Sequence, residues 1–249
     1  MKLIQLFIVM SILPVAGLSL AQTPLPDHLI GNLGVALYAT HGPANRPHEA
    51  PLVLPFIYAD YERVFVRVDT VGIKTMQIGA GYLELVGRIN VEGAKADRTG
   101  TRALLGRTNP VPVGLGTYQE TAIGGIFLYA LHDLRSGGNL LEATYAAEFA
   151  VQGWSVYPQL GVARRSGRYE RHVRGVTQQE ADASGRLAYT PGAATTPVAG
   201  LALDVPLIGA WFLNLQWRRE WFGSTTRASP RTGSRSQDNG FAAISYAFK

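Results

Sequence analysis

The feature that most constrains this chain is a strict alternation of apolar and polar residues, in runs of about 9 to 13 residues. In 141–151, Leu141, Ala143, Tyr145, Ala147, Phe149 and Val151 form an entirely apolar face, and Glu142, Thr144, Glu148 and Gln152 fall opposite. In 211–221, Trp211, Leu213, Leu215 and Trp217 oppose Asn214, Gln216, Arg218 and Glu220. In 199–207, Ala199, Leu201, Leu203, Val205 and Leu207 share one side, with Asp204 on the other. A period of two belongs to strands whose faces meet different media. The run length is what a tilted strand needs to cross the hydrocarbon layer, roughly 9 to 11 residues. No segment beyond residue 22 holds a 3.6-residue period, so the fold class is all-β: an antiparallel transmembrane β-barrel.

Composition enters as a set of exclusions. Only 16% of residues are charged, and there are 28 glycines, 11 tyrosines and no cysteine. Disulfides, thiolate chemistry, cysteine-based zinc sites and a lipidated N-terminal cysteine are therefore out. The net charge of +5 could point to nucleic acid, but the arginines gather between the alternating runs rather than along them. Acidic surfaces such as lipid A phosphates suit that distribution better, and no nucleic-acid partner is expected. Residues 1–21 read as a cleaved leader, with Lys2 ahead of an apolar stretch and Ser19-Leu20-Ala21 as a small-x-small site. The barrel domain is then 22–249.

Strands are expected at 30–39, 51–59, 62–69, 73–84, 85–94, 112–118, 121–132, 139–151, 153–164, 197–206, 209–222 and 239–248. That gives about 12 strands; because 71–91 divides poorly, ten stays open. Tight connections fall at Asp60-Tyr61, Glu84-Leu85, Gln119-Glu120, Gln152 and Leu207-Ile208. Long ones fall at 40–50, 95–111, 165–196 and 223–238. Short turns on one side and long loops on the other are the asymmetry of outer-membrane barrels, with the long loops outside the cell. Trp211, Trp217, Trp221, Tyr145, Trp154, Tyr82 and Tyr246 lie near strand ends, where aromatic girdles are expected. Ala242, Ile244, Tyr246 and Phe248 alternate up to a terminal Lys249.

Several short pieces, in order, resemble the MipA/OmpV family of outer-membrane proteins. They are Gly34-Val35, Pro55-Phe56-Ile57-Tyr58 with Tyr61-Glu62, and Ala103-Leu104-Leu105-Gly106-Arg107. Gly175-Val176-Thr177 with Glu180-Ala181, then Ser229-Pro230 and Tyr246-Ala247-Phe248 complete the set. The chain departs from the family where a Tyr-Tyr-Gly-Val-type motif is replaced by Val173-Arg174-Gly175-Val176. The resemblance implies an outer-membrane barrel that acts as a scaffold, since the family takes its name from a protein that links a murein hydrolase to a murein synthase.

The residues themselves offer further candidates. Thr177-Gln178-Gln179-Glu180 is a capping box, expected to open a short helix ending near Gly185. That helix would pack as a lid over the barrel mouth or bind a partner. Arg165, Arg168, Arg171 and Arg174 crowd the same connection, and Arg231 and Arg235 line the last one. Guanidinium forks pair well with phosphate, so these six are candidates for lipopolysaccharide contact; a solvated basic loop is the alternative. Arg67, Asp69, Glu142, Glu148, Asp204, Arg218 and Glu220 fall opposite the apolar faces and are expected in the lumen. Buried charges must be paired or wet, so they either knit a closed interior or line a narrow channel.

Catalytic residues, cofactors and metals are not assigned. His132-Asp133 with Ser136 is the nearest approach to an acyl-hydrolase site, yet no Gly-x-Ser-x-Gly elbow occurs. His41, His48 and Glu49 share a proline-rich connection that is a poor metal cradle. The reading is non-enzymatic: a scaffold first, then a small channel or a lipopolysaccharide-contacting surface protein, with an acyl hydrolase last.

Overall fold

Each alternating run becomes a stave of one closed wall in the computed structural model, which describes residues 25–42, 51–90 and 107–248. The order is β1 (Ile30–His41), β2 (Leu52–Tyr61), β3 (Val64–Arg67), β4 (Thr70–Ile78), β5 (Gly81–Arg88), β6 (Pro112–Thr121) and β7 (Gly124–Asp133). Then come β8 (Asn139–Ala147), β9 (Phe149–Val151), β10 (Trp154–Arg165), α1 (Gly167–Arg174) and α2 (Gln178–Ser184). The chain finishes with β11 (Ala194–Pro206), β12 (Trp211–Trp221), α3 (Ser224–Arg227) and β13 (Ser236–Phe248). All pairings between strands are antiparallel; β13 pairs with β1 and β10 with β11, so the sheet closes on itself. In lipid an open edge would leave backbone groups without partners, and closure removes that cost.

The wall has twelve staves, because β8 and β9 are one strand interrupted at Glu148. Both pair with β10 in a register that runs on unbroken across the gap, Ala146 opposite Gln159 and Phe149 opposite Val156. That register sets Ala147 against Pro158, which has no N–H to give to the ladder. The expectation of ten or twelve strands thus resolves to twelve. One boundary is corrected: the turn expected at Glu84-Leu85 lies at Gly79-Ala80, where Gly79 takes a left-handed φ of 55°. Tyr82 consequently points inward beside Tyr118 instead of joining a girdle.

Tight turns at 62–63, 79–80, 122–123, 152–153 and 207–210 all lie at the end of the barrel that holds Ile30 and Phe248. The other end carries the long connections, 89–111, 166–193 and 222–235 among them. Outward-facing Leu33, Val35 and Leu37 of β1 are each more than half exposed, while Ala36 between them is buried. An apolar belt facing out and a filled interior facing in is the inverse of a soluble protein, and it is what hydrocarbon solvates. Trp211 and Tyr246, edge to face at 5.4 Å, mark the belt near the tight turns, and exposed Trp217 and Trp221 mark it near the long loops.

The core sits inside the barrel toward the long-loop end. Phe65, Val86, Leu131, Leu140 and Ala163 pack there with Tyr169 and Val173, which α1 inserts from above. Gly116 makes room lower down: a Cβ on it would lie 2.5 Å from the Tyr129 ring, so that ring rests flat against the wall. The leader read at 1–21, the Ala103-Leu104-Leu105-Gly106 piece, His48 and Glu49 lie outside the described residues.

Candidate functional site at the outer mouth

Charges on the inner wall are joined across the lumen. Arg67 donates to both Glu84 oxygens, at 3.0 and 2.8 Å, with its guanidinium 4.0 Å over the Phe65 ring. Above it a chain of ion pairs runs Arg88–Glu142–Arg218–Glu220–Arg165. These residues come from β5, β8, β12 and β10, so the chain ties together staves far apart in the wall. Arg88, Glu142, Arg165 and Glu220 keep a tenth or less of their side-chain surface exposed. Burying such charges is tolerable only because each has a partner.

Among the lumen candidates, Arg67, Glu142, Arg218 and Glu220 therefore belong to internal pairs. Asp204 faces inward and accepts from Asn214 Nδ2 at 2.7 Å. Glu148 is exposed at the tight-turn rim, where Tyr157 donates to it at 3.4 Å. Asp69 is not on the wall: the strand ends at Arg67, and Asp69 occupies the following turn, half exposed and 3.8 Å from Arg88. Glu84 and Arg88 were missed because the misplaced hairpin turn left 82, 84, 86 and 88 without an inward face. Alternation restarted at Gly81 would have found them.

A cap covers the long-loop end. Ser166 accepts from the Tyr169 N–H to start α1, and Thr177 with Glu180 forms the full capping box that starts α2. Gly185, left-handed at φ 65°, stops α2 as expected. Through Tyr169, α1 reaches into the barrel core, and the Tyr169 hydroxyl accepts from Asn90 Nδ2 at 2.8 Å. Glu180 then gathers three segments of chain. Arg107 donates to it at 2.8 Å, the Thr177 N–H at 2.9 Å and Arg231 at 2.6 Å. Arg107 and Arg231 both also donate to the Gly175 carbonyl. Burial raises the Glu180 carboxyl, but the Arg107 and Thr177 hydrogen bonds and the Arg231 charge outweigh that and hold its pKa at about 2.

Further bonds fasten the cap to its neighbours. Ser229 donates to the Arg174 carbonyl, Arg186 to the Pro230 carbonyl and Tyr189 to the Thr225 carbonyl. His172 meets the Thr108 carbonyl at 3.0 Å. The departure at Val173-Arg174 is used internally: Val173 joins the core, and Arg174 pairs with Glu170 and lies 4.9 Å over the Phe222 ring.

This arrangement divides the six arginines proposed for phosphate contact. Arg165, Arg174 and Arg231 are turned inward onto Glu220, Glu170 and Glu180, a correction to their reading as surface residues, because carboxylates in the barrel and cap claim them. Arg168, Arg171 and Arg235 are exposed, as are Arg164 and Arg227. The hydrolase triad is not assembled either. His132 faces out and pairs with Asn139, whereas Asp133 is fully buried and accepts from the Val111 and Ser136 N–H groups. Successive residues of a strand point to opposite faces, so the two cannot converge.

No curated protein sequence matches the chain. Among solved structures it is similar to the anion-selective porin from Comamonas acidovorans, at 8% identity and a TM-score of 0.36, covering 89% of this chain and 99% of that one. OmpT of Vibrio cholerae, outer-membrane expressed, aligns at 7% identity and 0.38, covering 89% and 97%. The CymD monoaromatic hydrocarbon channel aligns at 12% and 0.34, covering 90% and 89%. Residues 33–248, from the first stave through the last, match the family described as MltA-interacting protein MipA. With its closed antiparallel wall and apolar exterior, the chain is an outer-membrane β-barrel protein and belongs to the MipA family.

Proposed function

We propose that this barrel is a non-enzymatic, non-conducting scaffold that holds a murein-processing enzyme at the periplasmic face of the outer membrane. The observation that carries the non-conducting half is the pair of barriers in series. An ion-pair chain from Arg88 to Arg165 crosses the lumen, and the cap held on Glu180 covers its outer end. A wall so braced is a rigid platform. The partner half is supported by the family description, an MltA-interacting protein, carried here to a chain that matches over 33–248. Residues 1–21 would serve as the export leader.

A narrow conduit is the second reading, and Tyr58 favours it. Its register against Asn32 and Arg67 places it on the inner wall, yet it is 44% exposed, so the lumen at that level borders solvent. The test is a binding measurement on the full barrel in lipid nanodiscs, with a murein transglycosylase and a murein synthase as soluble partners. Saturable binding of either, lost when the periplasmic turns 122–123 and 152–153 are replaced by Asn-Gly, is the expected result. No binding of either enzyme, together with ion flux through the reconstituted barrel, would replace the scaffold with the conduit.

A further inference from the structure

Above the outer girdle the last connection presents a basic ledge that neither the cap nor the lumen uses. Trp221 ends β12 facing outward, and the next residue, Phe222, turns in and donates its N–H to the Arg235 carbonyl at 2.9 Å. Arg235 therefore stands one residue beyond the tryptophan that marks the membrane interface. Arg227 and Arg235, both exposed, line an open depression of about 410 Å³ with Ser224, Ser234, Ala228 and Gly233. Among the described residues its lining supplies two arginines and two serines and no carboxylate, and the Ser234 hydroxyl donates to the Ser236 carbonyl at 2.7 Å. Two strands away Arg164 points outward from β10, since Ala163 and Arg165 on either side of it face in.

The contrast with the neighbouring cations identifies the chemistry. Lower on the same face Arg219 is neutralised by Asp238, at 2.7 and 2.8 Å, with Trp217 donating to the same carboxylate. On the hydrocarbon side of Trp221 the cation thus has its own counter-ion; on the headgroup side Arg227 and Arg235 line a hollow that holds no carboxylate among the described residues. Two planar guanidinium groups beside the Ser224 hydroxyl match the oxygens of a phosphate monoester. We infer that the Arg227–Arg235 ledge binds the phosphate of a phosphorylated glycolipid in the outer leaflet, with Arg164 as a flanking contact. Arg168 and Arg171, on the exposed face of α1, belong to the cap and stand outside this site.

Nanodiscs of phosphatidylcholine doped with bis-phosphorylated lipid A provide the test, with retained glycolipid counted by native mass spectrometry. The wild-type barrel is expected to retain phosphorylated lipid A over the dephosphorylated form. Arg227→Gln with Arg235→Gln is expected to lower that retention about tenfold or more, as loss of charge-assisted bonds implies. Arg168→Gln with Arg171→Gln is expected to leave it unchanged. All four positions are exposed, and heat-modifiable migration confirms that each variant still forms the barrel. Equal retention by the Arg227/Arg235 variant, or equal retention of dephosphorylated lipid, would overturn the inference. Displacement of the lipid by millimolar inorganic phosphate would also overturn it, by assigning the ledge to free phosphate. None of these outcomes depends on whether a murein enzyme binds.

Discussion

Arg231 donates to Glu180 at 2.6 Å, and that one contact joins the last outer connection to the helix lying over the barrel mouth. Arg107 brings the β5–β6 connection to the same carboxylate, so three connections close on a single buried anion.

The pH dependence of the cap follows from Glu180. Its folded pKa, about 2, lies below the unfolded value of 4.5, so its contribution is complete above about pH 4.5 and is lost as pH falls through about 2. Nicking of the outer connections by an acid-active protease is expected to stay flat from pH 7 to 5 and to rise only toward pH 2. Glu180→Gln is expected to be nicked readily already at pH 7.

The Arg67–Glu84 pair is expected to show strong non-additivity. Glu84→Gln leaves the Arg67 charge buried without its carboxylate, at a cost of about 3–5 kcal/mol. Replacing both, Arg67→Met with Glu84→Met, is expected to cost far less. Urea unfolding midpoints of the vesicle-reconstituted barrel measure the cycle; additive losses would mean the pair is not coupled.

Val68 sits at φ 55° in the β3–β4 turn, a left-handed conformation that a β-branched residue adopts only under strain. Relief of roughly 1–3 kcal/mol of strain outweighs the entropy that glycine adds, roughly 0.5–1 kcal/mol. Val68→Gly is therefore expected to stabilise the barrel by about 1 kcal/mol, read as a higher unfolding midpoint.

Gly116 gives the clearest packing test. A methyl group there meets the Tyr129 ring at 2.5 Å, so Gly116→Ala is expected to destabilise by about 1–3 kcal/mol. Adding Tyr129→Leu is expected to recover part of the loss, whereas Tyr129→Phe, which keeps the ring, is not.

The barrel was legible because its determinants are local. Strands 141–151 and 211–221 advertise both faces in the sequence, and the capping box at Thr177 and Glu180 needs only three residues of context. What failed did so for identifiable reasons. Between 71 and 91 apolar residues occur on both parities, so only the left-handed Gly79 locates the turn. The arginines at 165, 174 and 231 look alike in sequence to those at 168, 171 and 235. Their fates are set by Glu220, Glu170 and Glu180, and two of these three pairings join residues about fifty positions apart. A carboxylate partner at that separation leaves no local periodicity.

Single-channel recording in planar bilayers tests the central claim, a barrel sealed at its outer mouth, most directly. The wild-type protein is expected to give no steady ionic conductance, while a variant that removes both barriers, Glu180→Gln with Arg231→Gln in the cap and Arg88→Gln with Glu142→Gln in the lumen chain, is expected to give flickering openings. Stable open-channel steps from the wild type, of the same size as those of the variant, would contradict the account.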